Sequence, residues 1–453
     1  MFQRIWNFPV NNQITIRINL VRYRSLGLSP APSKAIYVLL DGVGDLPHPS
    51  LEGLTPLEAA RTPSLDQLTS NGCLGSVVSV GKGIAPQSDI AVFNMLGYDF
   101  KDVGYPGRGV IEALGMGIDF KNGDLVLRGN FATIDKQGNI TDRRAGRVIE
   151  YDEALEICKT LEESLKFKRN ISVTLQPSVG HRVIIKFSDP SLKLSSKVSN
   201  TDPAYDRIDG IGIARDDRSM KILDCIPEEE GESAAASAQV INEFGRQTVQ
   251  ILENHPVNHR RLDSGLKPMN AILLRDSGNY LPAIEPISTR YGLEFGSVVD
   301  MPVEVGISRI LGMHFITGGD IDAYQEKASK CLEQIKKYDI VYVHIKGPDE
   351  FGHDGDAHGK KVSIEQIDGL FFGTLLKNVD VSKTMLIVSG DHSTPCIRKA
   401  HTDDPIPVLF TGAGADKDKS QRFTEKESLQ GSRGSMRGIE ILPFVRKTFF
   451  GRL

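Results

Sequence analysis

In the segment Gly347-Pro348-Asp349-Glu350-Phe351-Gly352-His353-Asp354, Asp349 and His353 stand four residues apart. One helical turn brings such a pair to the same side, and a carboxylate beside an imidazole is half of a metal site. Alone, the spacing also fits a solvated acid near a satisfied histidine. Ser389-Gly390-Asp391-His392-Ser393 supplies two more ligand types, and His401 follows shortly after. Asp41 opens a further motif, Asp41-Gly42-Val43-Gly44-Asp45. Each of these acids also suits a plain helix cap, a position that favours Asp. Pro86-Gln87-Ser88-Asp89 begins a stretch that reads as a helix from Ser88 to near Gly97. A serine there serves as an N-cap. The same position suits a phosphorylated serine, because helix N-termini offer free N–H groups and the positive end of the dipole. To act as a nucleophile near neutral pH, the hydroxyl needs a base or a metal. The Asp/His array offers the metal.

These groups need elements that aim them at one place. Residues 35–40 (Ala-Ile-Tyr-Val-Leu-Leu) form an apolar run that ends at Asp41. Residues 271–274 run into Arg275-Asp276, 340–343 into His344, Lys346 and Asp349, and 385–388 into Asp391 and His392. Continuous apolar runs read as buried parallel strands, whose carboxyl ends share one edge of a sheet. Helical patterns lie between them, at 64–70, 323–337 and 362–376. The expectation is an α/β fold with a mostly parallel sheet flanked by helices. From about 121 to 267 the pattern changes to alternating runs (125–134, 171–175 and 181–187) and a long amphipathic segment at 237–254. This reads as a smaller α+β domain inserted into the first. The expected division is 34–120 with 268–453 for the metal-binding domain, 121–267 for the insert, and 1–33 for an N-terminal extension.

Composition narrows the classes. A net charge of −4 argues against a nucleic-acid binder. No apolar run is long enough to span a bilayer. Cys73, Cys158, Cys225, Cys331 and Cys396 are scattered without a C-x-x-C pair, which suits a reducing compartment and gives no thiolate metal site. The first 33 residues carry Arg4, Arg17, Arg22 and Arg24, and no acid precedes Asp41. An Arg-rich, acid-free start is a feature of organelle transit peptides; an extra strand or an early start codon gives the same pattern. The expected location is cytoplasmic, with an organelle as the alternative. The sequence sets no oligomeric state. The Gly-x-Gly pairs do not extend to a dinucleotide fingerprint, and no Walker A motif occurs.

The set Asp41, Ser88, Asp349-x-x-x-His353, Asp391-His392 and His401 resembles the alkaline phosphatase superfamily. Within it, the chain is similar to archaeal-type, 2,3-bisphosphoglycerate-independent phosphoglycerate mutases. The resemblance runs from Ala35 onward. It rests on Gln87-Ser88-Asp-Ile-Ala, Gly107-Arg-Gly-Val-Ile-Glu-Ala-Leu-Gly115, Arg128-Gly-Asn-Phe-Ala, Asp142-Arg-Arg-Ala-Gly-Arg147, Gly180-His-Arg182, Asp202-Pro203, His344-Ile-Lys-Gly-Pro-Asp349 and Ser389-Gly-Asp-His392. It implies an alkaline-phosphatase-like domain and interconversion of 3-phosphoglycerate and 2-phosphoglycerate through a phosphoserine at Ser88. One divalent cation would be held by Asp41, Ser88, Asp391 and His392, and another by Asp349, His353 and His401. Such ligands suit Mn²⁺, Mg²⁺ or Zn²⁺ alike; Mn²⁺ is the expected ion. His358, Asp354 and Asp356 read as loop polar groups. The resemblance assigns phosphoglycerate to Arg128, Arg143, Arg144, Arg147, His181 and Arg182 from the insert and Lys346 from the metal side. At least two of the insert's arginines would face Ser88 across a cleft that closes on the substrate. A metal-dependent phosphatase with the same metal core is the alternative.

Overall fold

The computed structural model describes residues 34–208, 211–214 and 221–451. The N-terminal extension, with its transit reading, lies outside the described residues. The strands are β1 (Lys34–Leu40), β2 (Gly72–Val78), β3 (Leu125–Ile134), β4 (Ile140–Asp142), β5 (Ser172–Pro177), β6 (Arg182–Ser188), β7 (Tyr205–Ile208), β8 (Ile211–Ala214), β9 (Ala271–Gly278), β10 (Phe295–Val299), β11 (His314–Thr317), β12 (Ile340–Ile345), β13 (Thr384–Gly390), β14 (Ile406–Gly412) and β15 (Ser435–Arg437).

Eight strands form the main sheet in the order β11-β10-β12-β1-β13-β14-β2-β15. Within it only β14 runs against the others. Alternation along β1 shows why both faces are covered. Ala35, Tyr37 and Leu39 enter one apolar core, while Ile36, Val38 and Leu40 enter another on the opposite face. A strand buried on both sides must be apolar throughout, which is the run seen in the sequence. β12, β1 and β13 are adjacent and parallel, with Leu40 opposite both Ile345 and Gly390. Their carboxyl ends therefore deliver Lys346, Asp41 and Asp391 to one edge.

The second sheet joins β4, β3, β6 and β5, with β9 paired to β3. Its core includes Phe131, Phe187, Phe244 and Leu274. Here one expectation is corrected. Residues 271–274 belong to this sheet, antiparallel to β3, and not to the main one. β9 is buried along its whole length, and an apolar run of that kind does not distinguish a parallel strand from a covered antiparallel one. The switch between sheets thus falls after Gly278.

One helix, Arg108–Gly115, packs on β3 and β9 from one side and on the helix Pro302–Ile310 from the other. The two helices touch through backbone. A Cβ on Gly115 would lie 1.8 Å from the Pro302 carbonyl oxygen, and one on Gly306 would lie 2.0 Å from that of Ile111. Among the described residues, no helix is long and apolar enough to cross a membrane.

Candidate metal centre and arginine cluster

Asp41, Asp391 and His392 are buried at the carboxyl edge of the main sheet. Asp349 and His353 share the helix Pro348–Asp354, one turn apart. His353 Nε2 lies 3.6 Å from Asp349 Oδ2, and His401 Nε2 lies 3.4 Å from Asp349 Oδ1. The His392 and His401 rings stack at 3.9 Å. His392 Nε2 is 3.5 Å from Asp41 Oδ1 and 3.4 Å from Asp391 Oδ2. The structure therefore brings together all the acids and histidines expected to bind metal. Asp349, His353 and His401 form one group of converging ligand atoms, and Asp41, Asp349 and His392 form another.

The donor chemistry fits divalent cations. Asp391 Oδ1 accepts from the backbone N–H groups of Gly42 and His392, while its Oδ2 is buried without a hydrogen-bond partner. Asp41 Oδ1 is likewise buried and unpartnered. His353 Nδ1 donates to the Lys399 carbonyl and His401 Nδ1 donates to that of Pro86. In the neutral rings, both Nε2 atoms then carry lone pairs. These face one another at 3.1 Å, a contact that repels unless a cation sits beside it. Burial alone would raise the Asp41 and Asp349 carboxyls, yet both are held well below the usual range, Asp41 chiefly by Lys346 and Asp349 chiefly by His401. Asp41 and Asp349 thus stay ionised, the charge a metal needs.

Lys346 bridges Asp41 Oδ2 at 2.8 Å and Glu304 Oε1 at 2.7 Å. Glu304, on the helix Pro302–Ile310, also meets His344 Nδ1 at 3.1 Å. Burial would raise the Glu304 carboxyl, but Lys346 and His344 bring it down to about 2. Sequence reading did not single out Glu304, because one acid in a short amphipathic helix looks like a solvated surface group.

Ser88 is the first residue of the helix Ser88–Met95, and Gln87 is the N-cap. Its hydroxyl is free of the capping duty that the sequence also allowed. Ser88 Oγ lies 3.2 Å from His392 Nε2. Behind it, Arg108 donates to Gln87 Oε1 at 3.3 Å and to Glu112 Oε1 at 3.0 Å, and lies 4.0 Å from Asp89.

Arg108 opens a line of ion pairs into the second sheet. Glu112 pairs with Arg128 at 3.1 Å, Arg128 with Asp276 at 2.9 Å, and Asp276 with Arg275 at 3.4 Å. Arg275 and Arg143 both pair with Asp202, and both guanidinium groups lie over the Tyr205 ring. Arg182 borders the same line: burial and the nearby Arg128 push it down to about 10. Burial, then Arg182 and Arg144, push His181 down to about 3, so it stays neutral. Burial and Arg147 lower Arg144. Arg147 itself is exposed, on a turn at φ 65°. Arg128 and Arg182 therefore belong to the network that reaches the residues flanking Ser88. Arg143 and Arg144 stand further along it, beside Tyr205. In the sequence, Arg108 stands out only within its glycine-bearing motif, and Arg275 reads as the end of a main-sheet strand.

Comparison with known proteins agrees with this architecture. The family profile for 2,3-bisphosphoglycerate-independent phosphoglycerate mutase matches residues 69–258, and that of the metalloenzyme superfamily matches 314–438. A 2,3-bisphosphoglycerate-independent phosphoglycerate mutase of Aeropyrum pernix is 38% identical over 90% of this chain and 98% of its own. One from Methanopyrus kandleri is 36% identical over 91% of this chain and 96% of its own. Among solved structures, a cofactor-independent phosphoglycerate mutase of Thermoplasma acidophilum superposes with TM-score 0.60 at 31% identity, covering 92% of this chain and all of its own. A protein of Pyrococcus horikoshii superposes with TM-score 0.73 at 28% identity, over 93% of this chain and all of its own.

Proposed function

The chain belongs to the 2,3-bisphosphoglycerate-independent phosphoglycerate mutases, enzymes that interconvert 3-phosphoglycerate and 2-phosphoglycerate, and from that premise we propose that Ser88 carries the phosphoryl group between the two hydroxyls. Asp41, Ser88, Asp391 and His392 would hold one divalent cation, and Asp349, His353 and His401 the other, with Mn²⁺ the expected metal. Bound there, the metals would lower the pKa of the serine hydroxyl and neutralise charge on the transferring phosphoryl group.

The chain's own residues do the rest. Ser88 Oγ attacks phosphorus as it gives up its proton, the ester bond to glycerate breaks, and the released alkoxide takes up that proton. The phosphoserine then sits at a helix N-terminus, where backbone N–H groups favour anions. Lys346 faces it from the metal side and balances Asp41. The guanidinium groups of buried Arg128 and half-buried Arg182, with Arg108, bind the carboxylate and ester oxygens in fixed orientation. Arg143 and Arg144 add positive charge at the outer end of the cluster, and neutral His181 offers a hydrogen bond. The other glycerate hydroxyl then attacks phosphorus as it loses its proton, the Ser88 bond breaks, and the serine oxygen takes up that proton. A site that excludes water keeps phosphoserine from hydrolysis.

The observation that carries this reading is the Ser88 hydroxyl, not engaged in capping, 3.2 Å from His392 Nε2, amid buried, unpartnered carboxylate oxygens. The test is conversion of 3-phosphoglycerate coupled to enolase, with Mn²⁺-loaded protein and no 2,3-bisphosphoglycerate, beside EDTA-treated protein. Metal-dependent turnover supports the proposal. Release of inorganic phosphate without 2-phosphoglycerate would replace it with a phosphatase.

A further inference from the structure

Thr394 follows the Asp391-His392 ligand pair in the chain, but its side chain reaches both halves of the metal centre. Its Oγ1 lies 2.6 Å from Asp349 Oδ1 and 3.1 Å from His392 Nδ1. In the ligand assignment proposed above, Asp349 would hold one cation and His392 the other. The residue is fully buried. Its backbone is tied down on both sides: its N–H donates to the Gly44 carbonyl at 3.0 Å, and its carbonyl accepts from Lys360 Nζ at 2.9 Å. Lys360 also bonds the Gly44 carbonyl and pairs with Asp45, and it too is fully buried. A β-branched side chain on a pinned backbone has little rotational freedom.

The hydrogen-bond polarity follows from the donors available. An ionised Asp349 can only accept, so the threonine hydroxyl gives it its one hydrogen. The hydroxyl can then only accept from His392, so His392 Nδ1 carries the hydrogen. His392 Nε2 is thereby turned toward Ser88 and Asp41. One hydroxyl thus sets the orientation of a ligand in each site and the tautomer of the histidine beside the nucleophile. The space around it is closed. A Cβ on Gly42 would lie 2.7 Å from Thr394 Oγ1, and one on Gly352 would lie 2.8 Å from its methyl group.

Resting on the two-cation reading above, we infer that Thr394 is a positioning residue that couples the two cation sites, so that they fill as a pair. A cation at Asp349 fixes the hydroxyl, the fixed hydroxyl orders His392, and the second site then binds with less ordering left to do. No change in overall fold is required.

The experiment is a calorimetric titration of Mn²⁺ into EDTA-stripped full-length protein, followed by electron paramagnetic resonance at one equivalent of metal. Thr394→Val keeps the shape and removes the hydroxyl; Thr394→Ser keeps the hydroxyl. Wild-type protein should take up two Mn²⁺ and show spin-coupled pairs even at one equivalent. Thr394→Val should lose about 10–100-fold in affinity at one site or both and show isolated Mn²⁺ at one equivalent. Thr394→Ser should restore pairing. Wild-type affinity and pairing in Thr394→Val would overturn the inference. If Thr394→Val melts early in EDTA, the serine variant decides: unpaired filling there overturns it equally. A wild-type protein that binds no Mn²⁺ would instead sink the two-cation reading itself.

Discussion

Ser88 Oγ and His392 Nε2 lie 3.2 Å apart although 304 positions separate them in the chain. The contact exists because the first turn of the helix Ser88–Met95 faces the edge at which β13 ends. His401 secures it from the other side, donating from Nδ1 to the carbonyl of Pro86. The Ser88 segment and the candidate metal site are thereby held as one unit, and the serine needs no movement to meet it.

Ser88→Ala should therefore abolish turnover while leaving the melting temperature nearly unchanged and weakening metal uptake only at the cation site that Ser88 helps to hold. The loss should be on the order of 10⁶-fold, as when other enzymes lose their nucleophile. Intact-mass spectrometry after brief exposure to 3-phosphoglycerate should show one added phosphoryl group on the wild type and none on the variant. Substantial activity in Ser88→Ala would refute the covalent route.

Arg108 is the guanidinium that joins the residues flanking Ser88 to the acid that holds Arg128. Removing it leaves Glu112 with one partner fewer in a buried place and deletes charge beside the phosphoserine. Hydrogen bonds to charged groups contribute about 1.5–3 kcal/mol each, so kcat/KM should fall roughly 10²–10³-fold in Arg108→Ala. Arg108→Lys should recover little, since an ammonium cannot span Gln87 and Glu112 together. Exposed Arg147 provides the contrast: Arg147→Ala should change kcat/KM by less than about tenfold, within one lost exposed contact. Equal losses in the two variants would disprove the assignment of Arg108.

The grouping of acids and histidines in the candidate metal centre was legible in the sequence because several of them follow strand ends. Asp41 and Asp391 follow apolar runs that adjacent parallel strands require, and Asp349 and His353 carry helical spacing. What escaped was whatever acts through a fold-level neighbour. Residues 271–274 look like the other apolar runs, yet β9 is covered by the second sheet's own helices and pairs antiparallel. Arg275 and Asp276 went with it to the wrong sheet. Glu304 and Thr394 have no local signal at all: one is a single acid between apolar residues of a helix, the other a threonine in a short polar loop. Their partners become visible only when the strand order is known.

Gly306→Ala tests whether the two helices between the sheets act as a rigid spacer. The added methyl would sit 2.0 Å from the Ile111 carbonyl oxygen, so Arg108–Gly115 and Pro302–Ile310 must separate. Overpacking of this kind costs about 1–3 kcal/mol, read as a lower midpoint in urea unfolding. Because one helix carries Arg108 and the other Glu304, kcat should fall in the variant even where it is fully folded. Loss of stability with unchanged kcat would show that the spacing of these helices is irrelevant to the chemistry.

Glu425 offers a pH test away from the metal ligands. Its Oε2 accepts from the Thr55 hydroxyl at 2.7 Å, and its Oε1 accepts from the Asp45 N–H at 3.0 Å. Burial raises its carboxyl from 4.5 to about 7, against the lowering effect of those hydrogen bonds. A carboxyl raised on folding binds more protons in the native state than in the unfolded chain between those two pH values. Its contribution to stability therefore falls as pH rises from 4.5 to about 7 and stays low above that. Glu425→Gln keeps an acceptor for the Asp45 N–H and a donor for Thr55, and removes the charge. The variant should match the wild type near pH 4.5 and exceed it by about 1–2 kcal/mol at pH 8, an amount that allows for partial exposure. Urea unfolding at both pH values measures the difference. A gap that is constant with pH, or that widens toward acid, would show that Glu425 is ionised in the native protein throughout.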